Sequence, residues 1–247
     1  MQEFINQFFD VGFMLDHFGE VLEGFRINLE LFLVSAILAL AWGLLLALLR
    51  QLPGRPAKPV RAVTIAYIDI FRAVPLLILV LIFGLGIPSL SFLPESLRLP
   101  HWFGKPDSFW LGSLALLVTY GAYMAEVYRA GIEAVPGGQM EAARSLGMSH
   151  LQSMRNVIVP QAVRKIPAPM LNELIAMLKD TTLVSVIALN EVIQTSTDIQ
   201  TKTFNSSALT LGALMFLVII LPAARVVDKL IARSKDRLAR GSHIEVA

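Results

Sequence analysis

The chain has 247 residues, 55% of them hydrophobic and only 16% charged, with a mean hydropathy of +0.64. Soluble domains carry about 25% charged residues, so this is a membrane composition. The net charge of +2 is gathered in a few short segments without an aromatic-interleaved basic stripe, which argues against nucleic-acid binding, and the lack of cysteine removes disulfides, thiolate metal sites and cysteine nucleophiles together.

Residues 1–28 are acidic and aromatic: Glu3, Asp10, Asp16, Glu20 and Glu23 face only Arg26. Phe8, Phe9, Phe13, Phe18 and Leu22 fit one face of an interfacial helix outside the bilayer. A disordered tail is the other reading. The segment does not read as a secretory signal, because its start is acidic and no A-x-A-like site follows. Leu31 to Leu49 is an apolar run of 19 residues, and at 1.5 Å per residue it crosses a hydrocarbon core of about 30 Å. A second span is expected over 62–88. It is too long for one upright helix and is interrupted by Asp69 and Arg72, whose spacing lets them pair on a helix face. Either an interfacial elbow precedes a membrane entry at Ala73, or one long tilted helix runs throughout. Arg72 either snorkels to the headgroups or belongs to a pathway.

The proline-rich stretch from Pro88 to Asp107, flanked by Trp102 and Trp110, reads as an aqueous loop with an interfacial aromatic belt. A third span is expected over 109–129 and a fourth over 168–192. The fourth contains Asn172, Glu173, Lys179, Asp180, Thr181 and Thr182, which places it in the centre of a bundle rather than in lipid. Residues 193–206 are polar. A fifth span covers 208–227 with a kink at Pro222, followed by a basic tail, 233–247. The expectation is an all-α membrane protein of five transmembrane helices. With the N-terminus outside, 15 Lys and Arg fall on inside segments, 4 on outside segments and 2, Arg72 and Lys179, within spans. That bias puts the C-terminus in the cytoplasm, together with the segment between the third and fourth spans.

This segment, 133–160, is patterned. Pro136-Gly137-Gly138 stops the preceding helix, Glu141 to Leu146 reads as a short helix, and Gly147 stands where a helix end wants glycine. Ser149 and Gln152 have capping-box spacing for a second short helix, which Pro160 is expected to end. Such a structure between two membrane-length segments suits a grip from outside the membrane.

Glu141-Ala142-Ala143, then Gly147, then Val157, Val159 and Pro160 resemble the E-A-A-x3-G-x9-I-x-L-P coupling loop of bacterial ABC importer permeases, with valine replacing isoleucine and leucine. Phe71-Arg72-Ala73-Val74-Pro75-Leu76-Leu77 resembles F-R-G-x-P-L-L of the polar amino-acid subfamily. Ala122 to Ile132 resembles A-Y-x-A-E-x-x-R-G-G-I, and Asn172-Glu173 with Lys179-Asp180-Thr181-Thr182-Leu183 resembles N-E-x-I-x-x-x-K-D-T-S-L. Alanine stands for glycine at Ala73 and Ala130. The resemblance implies a type I importer bundle in the bacterial cytoplasmic membrane, working beside a second permease half. Its implied partners are two copies of an ATP-binding subunit, which hold the ATP and Mg²⁺, and an extracytoplasmic solute-binding protein that delivers the amino acid. No cofactor is expected on this chain, and no G-x-x-x-x-G-K-[ST] is present. Within the loop, Glu141, Ala142, Ala143, Arg144, Leu146, Gly147, Met148 and Pro160 are the candidate ATPase-coupling residues. Glu141 has two candidate partners, a basic group on the ATPase or an N–H at its own helix start.

An amino acid needs an acceptor for its ammonium and a donor for its carboxylate. Arg72, Glu126, Glu173, Lys179, Asp180 and Thr181 are the candidates for a substrate path; the alternative is that these charges pair with one another to hold the helices. Neither a catalytic nucleophile arrangement nor a metal-ligand spacing among His17, His101, His150 and His243 is present, so a transport subunit is expected rather than an enzyme. The rival readings are an ion-coupled carrier and a structural half whose partner forms the pathway.

Overall fold

The computed structural model describes residues 1–52 and 54–242, the side chains beyond Ala232 excepted, and all regular structure among them is helical. Two short helices, α1 (Gln2–Phe8) and α2 (Val11–Asp16), precede α3 (Phe18–Arg50). Next come α4 (Lys58–Ala73) and α5 (Leu76–Leu81), the latter continued by a π-helical turn over Ile82–Gly86 and a 3₁₀ turn to Ser89. A loop containing α6 (Glu95–Arg98) leads to α7 (Asp107–Glu133). The segment that follows folds into α8 (Gly137–Ser145), α9 (His150–Ser153) and α10 (Val159–Ala162). After it come α11 (Pro167–Asp180), α12 (Val192–Thr203) and α13 (Ser207–Ser242). Three helices, Phe18–Arg50, Asp107–Glu133 and Ser207–Ala232, are long and apolar enough to cross a membrane, and the bent pair α4–α5 makes a fourth when counted as one.

The bend decides between the two readings of the second span. Pro75 disfavours helical geometry at the residue before it, and Val74 is extended (φ −78°, ψ 128°). The chain therefore turns by 101° between α4 and the α5 segment, and the elbow reading is the one observed.

The α3–α7 pair is the centre of the bundle. A Cβ on Gly43 would lie 2.8 Å from the Gly121 carbonyl oxygen and 3.0 Å from the Ala125 nitrogen, so the two backbones approach as closely as only glycine permits. Further along the same pair Leu31, Ala39, Leu116 and Tyr120 join Leu79, Met177 and Ile187 in one buried core. Trp42 donates to the Tyr67 hydroxyl (2.9 Å), which donates to the Val118 carbonyl (3.0 Å), tying α3, α4 and α7. Leu33, Ile37, Leu44 and Leu48 on α3, with Leu217, Val218 and Leu221 on α13, remain exposed as a lipid-facing surface does. Gly43→Val is expected to destabilise the bundle by about 2–3 kcal/mol through overpacking, read as a lowered melting temperature of the purified protein. Gly19→Ala, where a Cβ meets nothing, should leave it unchanged.

Several sequence expectations need correction. The fourth span is not one helix over 168–192: α11 has 14 residues, a rise of about 21 Å, and ends at Asp180. Thr181–Ile187 is 3₁₀, and Ala188 is left-handed (φ 60°). The hydroxyl run explains the tightening. Thr181, Thr182 and Ser185 donate to the carbonyls of Leu178 (2.7 Å), Lys179 (2.8 Å) and Thr182 (2.8 Å), each three residues back, the spacing of a 3₁₀ turn. Residues 193–206 are not merely polar connection. They form most of α12, whose Val192 and Ile199 pack against Val21, Phe25 and Ala208.

Pro160 does not terminate a helix either, because the helical path continues to Ala162. The preceding π-helical turn, Met154–Ile158, shifts the hydrogen-bond register, which absorbs the proline's missing N–H. At the other end, α3 begins at Phe18, and the exposed Phe8, Phe9, Phe18 and Leu22 are divided between α1, the link after it and α3 rather than set along one helix. The C-terminal segment 233–247, including His243, lies outside the described residues apart from the helix backbone to Ser242.

Candidate functional site

Two features are built from the predicted residues. The first is a cavity of about 390 Å³ where the α4–α5 break meets α7 and α11, lined by Arg72, Thr119, Tyr120, Tyr123, Glu173 and Asp180. The break supplies its geometry. Arg72 lies in the last turn of α4, where the helix dipole favours a cation. Its guanidinium sits 5.6 Å from the centre of the Tyr123 ring, and its carbonyl accepts from the Tyr123 hydroxyl (3.3 Å). On the facing helix, Glu173 and Asp180 are seven apart, two turns along one face of α11. Asp180 accepts from the Tyr120 hydroxyl (2.8 Å). Glu173 and Arg72 make no hydrogen bond or ion pair through their side chains among the described residues, and Arg72 does not pair with Asp69. Thr119 also lines the cavity, its hydroxyl oxygen buried and without a partner among the described residues. The cavity thus holds a cation and two carboxylates, enough to receive both ends of an amino acid.

Arg72, Glu173 and Asp180 are therefore brought together, and three other candidates are not. Glu126 lies three residues beyond Tyr123 on α7 but is not part of the cavity wall. It accepts from Arg50 (3.1 Å) and from Arg129 Nε (3.0 Å), while Arg129 also pairs with Glu133. Lys179 is exposed and absent from the cavity wall. Thr181 is fully buried and faces α3 rather than the cavity, donating to Leu178 and accepting from Asn28. Thr119, Tyr120 and Tyr123 were missed because their span reads as an apolar run. Their spacing of 1 and 4 on α7 was the available signal, but only α11 shows what they face.

The second feature is the loop. Gly147 has φ 82°, and the turn it makes is a Schellman motif: the Met148 N–H donates to Ala143 (3.2 Å) and the Gly147 N–H to Arg144 (3.0 Å). Arg144 closes the turn by donating to the Met148 carbonyl (3.1 Å). The Ser149–Gln152 capping box is present in both directions, at 3.2 and 2.8 Å. Ala143 is buried and Ala142 exposed; Val135, Ile158 and Ala162 form a small core with Ile132 and Met140 that holds the loop to α7. The helix starts four residues earlier than expected, at Gly137, so Glu141 is mid-helix, and its carboxylate makes no hydrogen bond among the described residues. Leu146 and Leu151 stand 84% and 76% exposed on either side of Gly147.

Residues 27–236 match the family of binding-protein-dependent transport system inner membrane components. The chain belongs to that family. It is similar to the arginine transport system permease protein ArtQ of Bacillus subtilis (strain 168), 33% identical over 204 residues, 81% of this chain and 86% of that protein. It is also similar to the glutamate/aspartate import permease protein GltK of Escherichia coli O157:H7, 31% identical over 228 residues, 92% of this chain and 98% of that protein. A solved chain described as an amino acid ABC transporter with histidines superposes with a TM-score of 0.79 at 31% identity, covering 91% of this chain and 98% of that one. A chain of the inward-facing MetNI methionine ABC transporter shares the fold, with a TM-score of 0.68 at 16% identity over 88% of this chain and 97% of that one. Members of this family are membrane-spanning subunits of ABC importers and not themselves enzymes, which does not favour an ion-coupled carrier.

Proposed function

We propose that this permease carries an amino acid across the bacterial cytoplasmic membrane through the Arg72–Glu173–Asp180 cavity, with the work supplied by ATP hydrolysis on a separate subunit. The observation that carries the reading is the pair of opposite charges, Arg72 and Glu173, which share the cavity wall without pairing with one another. Arg72 receives the substrate carboxylate; Glu173 and Asp180 receive the ammonium. The three lining charges sum to −1, so the cavity favours a neutral or cationic amino acid over an anionic one.

Five spans follow if α11 and its 3₁₀ continuation cross together: seven 3₁₀ residues add about 14 Å to the rise of α11, reaching bilayer thickness. The excess of basic residues then places the N-terminus outside and the C-terminus and the 133–160 loop in the cytoplasm. There Leu146 and Leu151 offer an apolar edge to an ATP-binding subunit, one per permease half, and Ala142 allows close approach. An extracytoplasmic solute-binding protein delivers the amino acid, and a second half, identical or paralogous, completes the pathway.

Reconstitution in liposomes with the ATP-binding subunit and binding protein tests this. Radiolabelled L-arginine, L-histidine, L-glutamine and L-glutamate should be compared. Uptake is expected only with ATP and only when the ATP-binding subunit is present, with L-glutamate the poorest substrate. Equal accumulation without ATP would overturn the reading.

A further inference from the structure

Behind the cavity lies a polar network that the transport reading does not use. Asn28 on α3, Thr181 at the end of α11 and Glu191 at the start of α12 are all fully buried. Asn28 Nδ2 donates to Thr181 Oγ1 (3.0 Å) and to Glu191 Oε2 (2.9 Å), while Asn28 Oδ1 accepts from the Val192 N–H (3.0 Å). Glu191 Oε1 accepts from the N–H groups of Ile193 and Gln194 (both 2.9 Å), so it caps the first turn of α12. Thr181 Oγ1 donates onward to the Leu178 carbonyl (2.7 Å). Both carboxylate oxygens, the amide's oxygen and nitrogen, and the hydroxyl are thus engaged. A buried network satisfied this completely is rigid, and one missing partner leaves the others in apolar surroundings.

Its placement gives it a role. Thr181 is the residue at which the α-helix changes to 3₁₀, and the next residue back is Asp180, which faces the cavity. Packing holds one side of this junction, where Met177, Leu178 and Val184 are buried. A 3₁₀ turn has poorer hydrogen-bond geometry than the helix it continues, and Lys179 beside it is exposed. The network adds directional bonds to that packing, holding Thr181 to α3 on one side so that Asp180 meets Tyr120 on the other.

We propose that Asn28, Thr181 and Glu191 are positioning residues for substrate recognition: by fixing Thr181 they aim the Asp180 carboxylate into the cavity and set the affinity for the amino acid. The proposal rests on the reading of the cavity as the substrate site.

The test is direct binding to the solubilised permease–ATPase complex without binding protein. The probe is whichever of the four radiolabelled amino acids the wild-type complex accumulates best. Thr181→Val keeps the shape and removes the hydroxyl; it is expected to weaken binding about tenfold, whereas Thr181→Ser should bind within about twofold of wild type. In an Asp180→Asn background the valine substitution should have no further effect, because the clamp acts through that carboxylate. Assembly is checked by co-elution of the subunits, and Glu191→Gln, which loses one network bond and keeps the helix cap, is the milder variant where valine prevents assembly. Wild-type affinity in an assembled Thr181→Val complex, or a full effect on top of Asp180→Asn, overturns the clamp. Should Asp180→Asn and Arg72→Met both bind as wild type, the cavity reading itself falls, and the proposal with it. Loss of binding in those two with none in Thr181→Val sinks the clamp alone.

Discussion

A Gly147→Val permease should still assemble and bind amino acid, yet lose at least about tenfold in ATP-driven uptake. The reasoning starts from the backbone. Gly147 has φ 82°, a region in which an L side chain costs roughly 1–2 kcal/mol and a β-branched one more. A Cβ there meets nothing within 4 Å, so the penalty is conformational and not a clash. The chain relieves it by leaving the left-handed region, which breaks the Met148–Ala143 and Gly147–Arg144 bonds that close α8. Leu146 and Leu151, which flank the turn, then no longer stand as a fixed edge. Force from a closing ATPase passes through a rigid contact or is lost. A graded series separates this account from general damage. Asn tolerates the left-handed region, so Gly147→Asn should remain close to wild type, with Gly147→Ala between the two. The measurement is substrate-stimulated ATP hydrolysis alongside uptake in proteoliposomes. Normal stimulation in the valine variant would show that the loop does not couple.

The loop was the most legible part of the chain, for a physical reason. Its determinants are local: a glycine at a helix end, a serine three residues before a glutamine, a proline after a valine. Each acts within four residues, so spacing alone exposes it. The same holds at Pro75, which bends the second span through its effect on Val74. Where the reading went astray, the determinant was local but competing. At Pro160 a π-helical turn absorbs the missing N–H, and from Thr181 hydroxyl-to-carbonyl bonds turn the second half of an expected α-helix into 3₁₀.

What could not be read was long-range. Asn28 and Glu191 are 163 positions apart, and nothing near either announces the other. Likewise Tyr120 and Tyr123 sit in an apolar run, where an aromatic pair is ordinary core until α11 sets two carboxylates opposite. Among the six candidate path residues, burial and partners do the sorting. Glu126 is occupied by Arg50 and Arg129, Thr181 is part of a buried network, and Lys179 stands off the cavity wall.

Arg72 and Glu173 should fail together rather than rescue each other, and this separates a ligand site from a structural ion pair. If the two held the helices by attracting one another, removing one would strand the other, and removing both would restore much of the loss. Their side chains instead lie outside ion-pair distance on opposite cavity walls, Arg72 against the Tyr123 ring and Glu173 half-buried without a hydrogen-bond partner among the described residues. A bound amino acid would meet both charges at once. Truncating one member of a buried charge contact costs about 2–5 kcal/mol. Arg72 is exposed at the cavity mouth, so the low end applies, and Arg72→Met or Glu173→Gln should each weaken amino-acid binding by about tenfold or more. The double variant is expected to bind no better than either single one, measured by equilibrium binding to the permease–ATPase complex. Recovery of affinity in the double variant would mean that the pair serves the fold and that the amino acid passes elsewhere.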